Sequence, residues 1–237
     1  MSEMNRITGI YFNPKPVFAD IAVRSRWYVP LLLLIVCAIG FMYAFQTHDT
    51  WEPTKERMRP LLENNRFIQQ IPEDRRQQQI ESSLNGLPRQ AFIGAIVGMP
   101  LYALILASTV LLMTKMMGTG IKFKQMFAFV CYSLLPGIVY SILCIVVVFL
   151  KSPEEFNIFN PLAFNLGAFL EPPPSTSGFR YYFATSIDLF NIWTLVLVAM
   201  AITVVSRKTG FGKALAAVLV PWLLLDLLWC GFRGLGS

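Results

Sequence analysis

Two carboxylates stand where carboxylates are expensive. Asp188 is the one charged residue in the apolar run 181–206, and Asp226 the one in 214–232. A charge held in a bilayer costs at least ~2.5 kcal/mol, so such groups pair, protonate or face water, and they often mark ion or substrate paths. If the two runs are consecutive helices, a rise of about 1.5 Å per residue puts both carboxylates roughly 9–11 Å below the same interface. Asn191 lies nearly one turn beyond Asp188 and can hydrogen-bond in the same plane. Asp188, Asn191 and Asp226 therefore form a candidate intramembrane polar site. A plainer reading stands beside it. A helix starting at Ser186 would put Asp188 in its first turn, stabilised by the helix dipole. Asp226 would then be protonated, or would reach Arg233 by snorkelling.

Other chemistries find little support. An intramembrane aspartyl protease needs Gly-x-Gly-Asp, whereas Asp226 follows Leu223-Leu224-Leu225. Thr209-Gly210-Phe211-Gly212-Lys213 lacks the spacing of a phosphate-binding loop and reads as a turn at the membrane edge. One His and four Cys give no zinc framework, and no metal or cofactor is expected. His48 reads as an interfacial side chain. Cys37, Cys131, Cys144 and Cys230 fall in apolar runs and read as small packing residues.

These residues need helices to hold them. Apolar residues make up 55% of the 237, charged residues 14%, and mean hydropathy is +0.54. Soluble domains are nearer about 25% charged. The net charge of +6 resides in bases flanking apolar runs, a membrane pattern rather than a nucleic-acid footprint. Five runs meet the roughly 20 residues a spanning helix requires. The spacing predicts spans at 29–47, 90–114, 125–150, 182–206 and 214–232, with 29–232 forming one membrane domain. The fold class is an all-α polytopic membrane protein. The first run is read as a retained helix, because no small-x-small cleavage site follows Phe45. Trp27, Tyr28, Tyr181, Tyr182 and Trp229 mark interfaces. Pro100, Pro136 and Pro221 fall inside runs, and Pro136-Gly137 is the strongest candidate for a helix kink.

Outside the spans, residues 1–28 form an N-terminal segment containing an interfacial helix over Asn13–Ser25. Asn13 can cap it, Pro14 suits its first position, and Val17, Phe18, Ile21 and Ala22 share a face. Lys15 and Arg24 are available for anionic headgroups. Loop 48–89 reads as a polar helical hairpin split at Pro72. Met58, Leu61, Leu62, Asn65 and Ile68 share a face in its first arm, and Ile80, Leu84 and Leu87 in its second. It caps the bundle or docks another protein, the cap being the expectation. Residues 156–170 form an interfacial segment, and Pro172–Gly178 a stiff loop. Gly94 and Gly98 permit close helix packing, expected within the chain.

Orientation is close in raw count. With the N-terminus inside, inner and outer segments carry ten Lys/Arg each. Position decides for N-in and C-out: Arg24 and Arg26 abut the first span, and the short loops with Lys115, Lys122, Lys124, Arg207, Lys208 and Lys213 contain no acid.

Several stretches carry a resemblance: FNPKPVFADIA at 12–22, GTGIKFKQMFAFVCYSLLP at 118–136, SIDLFNIWTLVLVAMAITVVSRKTG at 186–210 and KALAAVLVPWLL at 213–224. In this order and spacing the chain resembles the bacterial branch of the Yip1-domain family, small five-helix membrane proteins. The resemblance implies the bacterial cytoplasmic membrane and a place beside transporters. Eukaryotic relatives are linked to secretory trafficking and Rab-type GTPases through an extended N-terminal region. Here some 26 residues precede the first span, and no GTPase role is expected. The expected function is non-enzymatic: an organising or accessory subunit for other membrane proteins or transporters. Its partners would be membrane lipids, other membrane proteins and further copies of itself, not nucleic acid. The alternative is a small-solute or proton transporter or channel using the intramembrane aspartates.

Overall fold

A computed structural model describes residues 1–172, 177–206 and 208–234. The described residues are helical, apart from turns, connecting segments and one isolated bridge, Asn165 to Asp188. The N-terminal segment is two helices, α1 (Glu3–Phe12) and α2 (Pro14–Val23). Ser2 caps α1 through Asn5 N–H, 3.2 Å away. Asn13 precedes α2, but its side chain makes no capping hydrogen bond, contrary to expectation. Proline at the first position presets the dihedral without it. Val17, Phe18 and Ile21 are fully buried, as the shared face requires.

The first span is α3 (Tyr28–Thr47). The hairpin follows as α4 (Trp51–Glu63), the short α5 (Arg66–Gln69) and α6 (Glu73–Ile93). The break at Asn64–Asn65 was not legible in the apolar pattern. Asn65 is a cap, not a member of the face: its side-chain oxygen accepts from Phe67 and Ile68 N–H at 3.0 and 3.3 Å. Ile68, Ile80 and Leu84 bury against one another, with Met58, Leu62 and Leu87 around them. The hairpin thus closes a small core of its own. Its base is anchored by Trp51, which packs with Phe45, Val148 and Phe156.

No boundary separates the loop from the second span at 89/90. The helix runs from Glu73 through a π-helical turn at Gly94–Gly98 into α7 (Met99–Met116), 44 residues in all. The expected intramolecular packing of Gly94 and Gly98 is corrected: a methyl group at either would meet nothing within 4 Å. The spare residue of a π turn re-aims the helix without breaking it. Helix α7 ends in a Schellman motif. Gly118 takes φ +73°, its N–H donates to Lys115 C=O at 2.9 Å, and Thr119 N–H donates to Thr114 C=O at 3.1 Å.

The third span comprises α8 (Phe123–Ser133) and α9 (Pro136–Leu150), with a turn at Leu134–Leu135. Proline cannot donate to the preceding turn, so the ladder restarts at Pro136-Gly137. Residues 156–170 are mostly turns, with a 3-10 turn at Leu166–Phe169. The proline-rich loop at 172–178 lies largely outside the described residues. The expected continuous helix 182–206 is two: α10 (Gly178–Ser186) and α11 (Leu189–Val205). The last helix, α12 (Phe211–Gly234), encloses Pro221.

Among the described residues four helices are long and apolar enough to cross a membrane: Tyr28–Thr47, Glu73–Met116, Phe123–Leu150 and Phe211–Arg233. Helix α11 is apolar but has 17 residues. By contacts the chain divides into two compact units. Unit 1 comprises 1–38, 96–140 and 190–225, and unit 2 comprises 39–95, 141–189 and 226–237.

Candidate functional site

Asp226 sits half-buried in α12, within unit 2. Ser186, the last residue of α10, donates its hydroxyl to Asp226 Oδ2 at 2.6 Å. Cys230, one turn further along α12, approaches Oδ1 at 3.7 Å. Both partners are neutral, so they supply hydrogen bonds without a countercharge. Arg233 does not pair with Asp226. Its guanidinium lies 3.9 Å from the centre of the Tyr182 ring, four residues before Ser186. The planar cation stacks on the ring face.

Asp188 is not inside a helix. It lies at the break before α11, where the backbone bridges to Asn165. Leu189 N–H donates to Phe164 C=O at 3.0 Å, and Leu166 N–H to Ile187 C=O at 3.3 Å. The plainer sequence reading, a helix starting at Ser186 with Asp188 in its first turn, is corrected: Ser186 ends α10, and α11 starts only at Leu189. Asn165 holds the strap in shape. Its amide donates to Asn160 Oδ1 at 2.6 Å and Leu162 C=O at 2.8 Å, and its oxygen accepts from Ala168 N–H at 3.1 Å. Gly167 lets this strap close on α10, because a Cβ there would sit 2.3 Å from the Thr185 methyl and 3.1 Å from its backbone nitrogen.

Asp188 and Asp226 thus belong to unit 2, where Ser186 links the Asp226 carboxylate to the chain two residues before Asp188. Asn191 lies in the first turn of α11, half-buried, in unit 1. Sequence reasoning missed Ser186, Cys230 and Tyr182. Cys230 was detectable as the i+4 neighbour of Asp226. Ser186 and Tyr182 depend on how α10 meets α12. Among the described residues no cluster of His, Cys, Asp or Glu is arranged to hold a metal ion.

Unit 1 contains a polar centre that the sequence did not announce. Arg6 is 1% exposed. Its guanidinium meets Asp20 at 2.5 Å and Glu3 at 3.2 Å. Tyr132 of α8 donates its hydroxyl to Glu3 Oε2 at 2.6 Å, and Tyr11 to Leu135 C=O at 2.6 Å. Gln125 donates to Ala22 C=O at 2.8 Å, and Phe18 meets Phe129 edge-on. Helices α1 and α2 are therefore bolted to the start of the third span. Burial lowers the Arg6 guanidinium, but hydrogen bonds with Tyr132 and Asp20 and the charge of Glu3 outweigh it, and its pKa is raised. Partial burial pushes the Asp20 carboxyl up. Hydrogen bonds and charge from the Met1 ammonium and Arg6 overcome this and hold it below the usual carboxylate range. Burial, with a smaller effect from Cys37, pushes the Tyr11 phenol up to about 12.

The Yip1 domain model matches residues 8–232, nearly the whole chain. The chain belongs to the Yip1-domain family. The match takes in α2 and every apolar helix, so this Yip1-domain protein is a multi-pass membrane protein. No curated protein and no solved structure gives a significant match.

Proposed function

We propose that this Yip1-domain protein is a non-enzymatic organising or accessory subunit for other membrane proteins, transporters among them, in the bacterial cytoplasmic membrane. The observation that carries the reading is the 44-residue helix Glu73–Met116, which joins a polar hairpin to a membrane span without a break. The hairpin buries its own apolar residues and presents a charged surface, with Phe67 at its tip 60% exposed. An exposed aromatic on a polar arm is a fitting anchor for a partner. In this reading α11 is the fourth of five spans. At about 1.5 Å per residue its 17 residues reach roughly 26 Å, and a short span is met by local thinning of the bilayer. Five spans place the C-terminus opposite the N-terminus.

The test removes residues 56–86 and joins the ends with a short Gly/Ser linker. The truncated protein should still insert but lose co-purifying membrane proteins, and Phe67→Asp in the full chain should weaken the same recovery. Unchanged recovery in both variants would overturn the reading.

The second reading, a proton or small-solute pathway, is favoured by the Ser186–Asp226 contact on an apolar helix. Reconstituted vesicles decide it: flux that is present in the wild type and lost in Asp188→Asn and Asp226→Asn would replace the accessory role.

A further inference from the structure

Unit 1 is electrostatically one-sided. Its segments carry ten Lys or Arg against two carboxylates, Glu3 and Asp20. Both carboxylates are already engaged. Glu3 meets Arg6, Arg26 and Tyr132, and Asp20 meets Arg6 and the Met1 ammonium. Among the described residues Lys15 has no ion-pair partner.

Lys15 lines a groove of about 560 Å³ together with Val196, Met200 and Thr203 of α11, Thr209, and Phe211 at the start of α12. That volume is within the range of small-molecule sites. The hydroxyls in its wall are already used: Thr203 donates to Met200 C=O at 2.7 Å, and Thr209 pairs with Ser206 at 2.8 Å. What remains is an apolar wall with one unneutralised ammonium beside it. Lys15 is also the second residue of α2, which starts without a side-chain cap, so the positive end of the helix dipole adds to the same field.

We infer that this groove holds one anionic glycerophospholipid from the surrounding leaflet, its phosphate at Lys15 and an acyl chain along Val196 and Met200. The occupant must be amphiphilic, because the wall is apolar, and anionic, because no carboxylate of unit 1 is left to neutralise Lys15. A bilayer supplies such a molecule at high local concentration. The site is a discrete slot between helices, distinct from diffuse attraction of basic loops to a charged surface.

The test uses the full chain in symmetrical vesicles of equal parts phosphatidylglycerol and phosphatidylcholine, so orientation does not enter. After mild detergent release, retained lipid is counted by native mass spectrometry. The wild type should retain phosphatidylglycerol over phosphatidylcholine by about tenfold. Lys15→Gln should bring the ratio near one, and Lys15→Arg should preserve the preference. Val196→Trp, which fills the groove without touching charge, should reduce retention of both lipids. Lys55→Gln, in unit 2, should change nothing. Lys15 is exposed, so Lys15→Gln is expected to fold, and a matching melting curve verifies it. Equal retention of the two lipids by the wild type, or an undiminished preference in Lys15→Gln, overturns the inference.

Discussion

Arg6 shows how a single side chain can fix a segment. It is buried between Glu3 and Asp20, whose own side chains are 24% and 22% exposed. Removing one partner of a fully buried pair costs about 3–5 kcal/mol. Here the carboxylates can turn toward water, so Arg6→Ala should cost less, about 2–3 kcal/mol. It should appear as lost hydrogen-exchange protection in α1 and α2, while protection in α7 and α11 stays intact. The pH dependence has a definite sign. The Asp20 carboxyl is held below its ordinary value, so its contribution is fully present above about pH 4 and is lost as pH falls through the lowered value. Protection of α1 should therefore decline in acid, and Asp20→Asn should remove that decline while lowering protection at neutral pH. Gly167 is a second residue-scale constraint. Gly167→Ala should destabilise the strap by about 1–3 kcal/mol, because the Thr185 backbone cannot withdraw. Adding Thr185→Ser should recover part of the loss by removing the methyl at 2.3 Å.

At the scale of elements, the hairpin α4–α6 obeys the energetics of water rather than lipid. Between helices in a bilayer apolar contact has no hydrophobic drive. Outside it, burying Ile80 and Leu84 does. Leu84 is 1% exposed, and Leu84→Ala should cost about 2–4 kcal/mol of local stability. Arg59 and Glu81 join the same two helices at 2.7 Å, but both are well exposed. Glu81→Ala should cost under about 1 kcal/mol. Hydrogen exchange across 51–93 checks both, and equal effects would show that the hairpin is held by its surface pair instead of its core.

At the scale of the molecule, charge is sorted between the units. Unit 1 carries ten bases and two acids, while unit 2 carries ten bases and twelve acids. Bases tie between the units as they do between the loops, so the sorting lies in the acids. Arg24 and Arg26 beside the first span predict an inside N-terminus, which puts Gly120 inside and Asn85 outside. Asn85 is exposed on α6 in unit 2, so Asn85→Cys should react with an impermeant thiol reagent in intact spheroplasts. Gly120→Cys, in unit 1, should react only after permeabilisation. The natural cysteines are buried or half-buried, which keeps the background low. The reverse labelling pattern would invert the topology.

Composition and run length by themselves determined an all-helical, multi-pass membrane protein, because about 20 apolar residues in a row leave the backbone one way to satisfy its hydrogen bonds in lipid. They also determined that Val17, Phe18 and Ile21 share a face and that the ladder restarts at Pro136, since a helical period and a missing N–H are local properties, whereas the cover of that face by α8 is tertiary. The resemblance read from four stretches of sequence agrees with the family match over 8–232. Tertiary structure decided what local rules leave open. The break at Ile187–Asp188 comes from Asn165 and Phe164 on a distant strap, and no periodicity within 182–206 encodes it. The burial of Arg6 depends on Tyr132, 126 positions away in the chain. The partner of Asp226 is Ser186 rather than Arg233, because α10 brings a hydroxyl to the carboxylate and an aromatic ring to the guanidinium. A sequence specifies which side chains need partners. Which partner each one finds is settled by distances that exist only once the chain has folded.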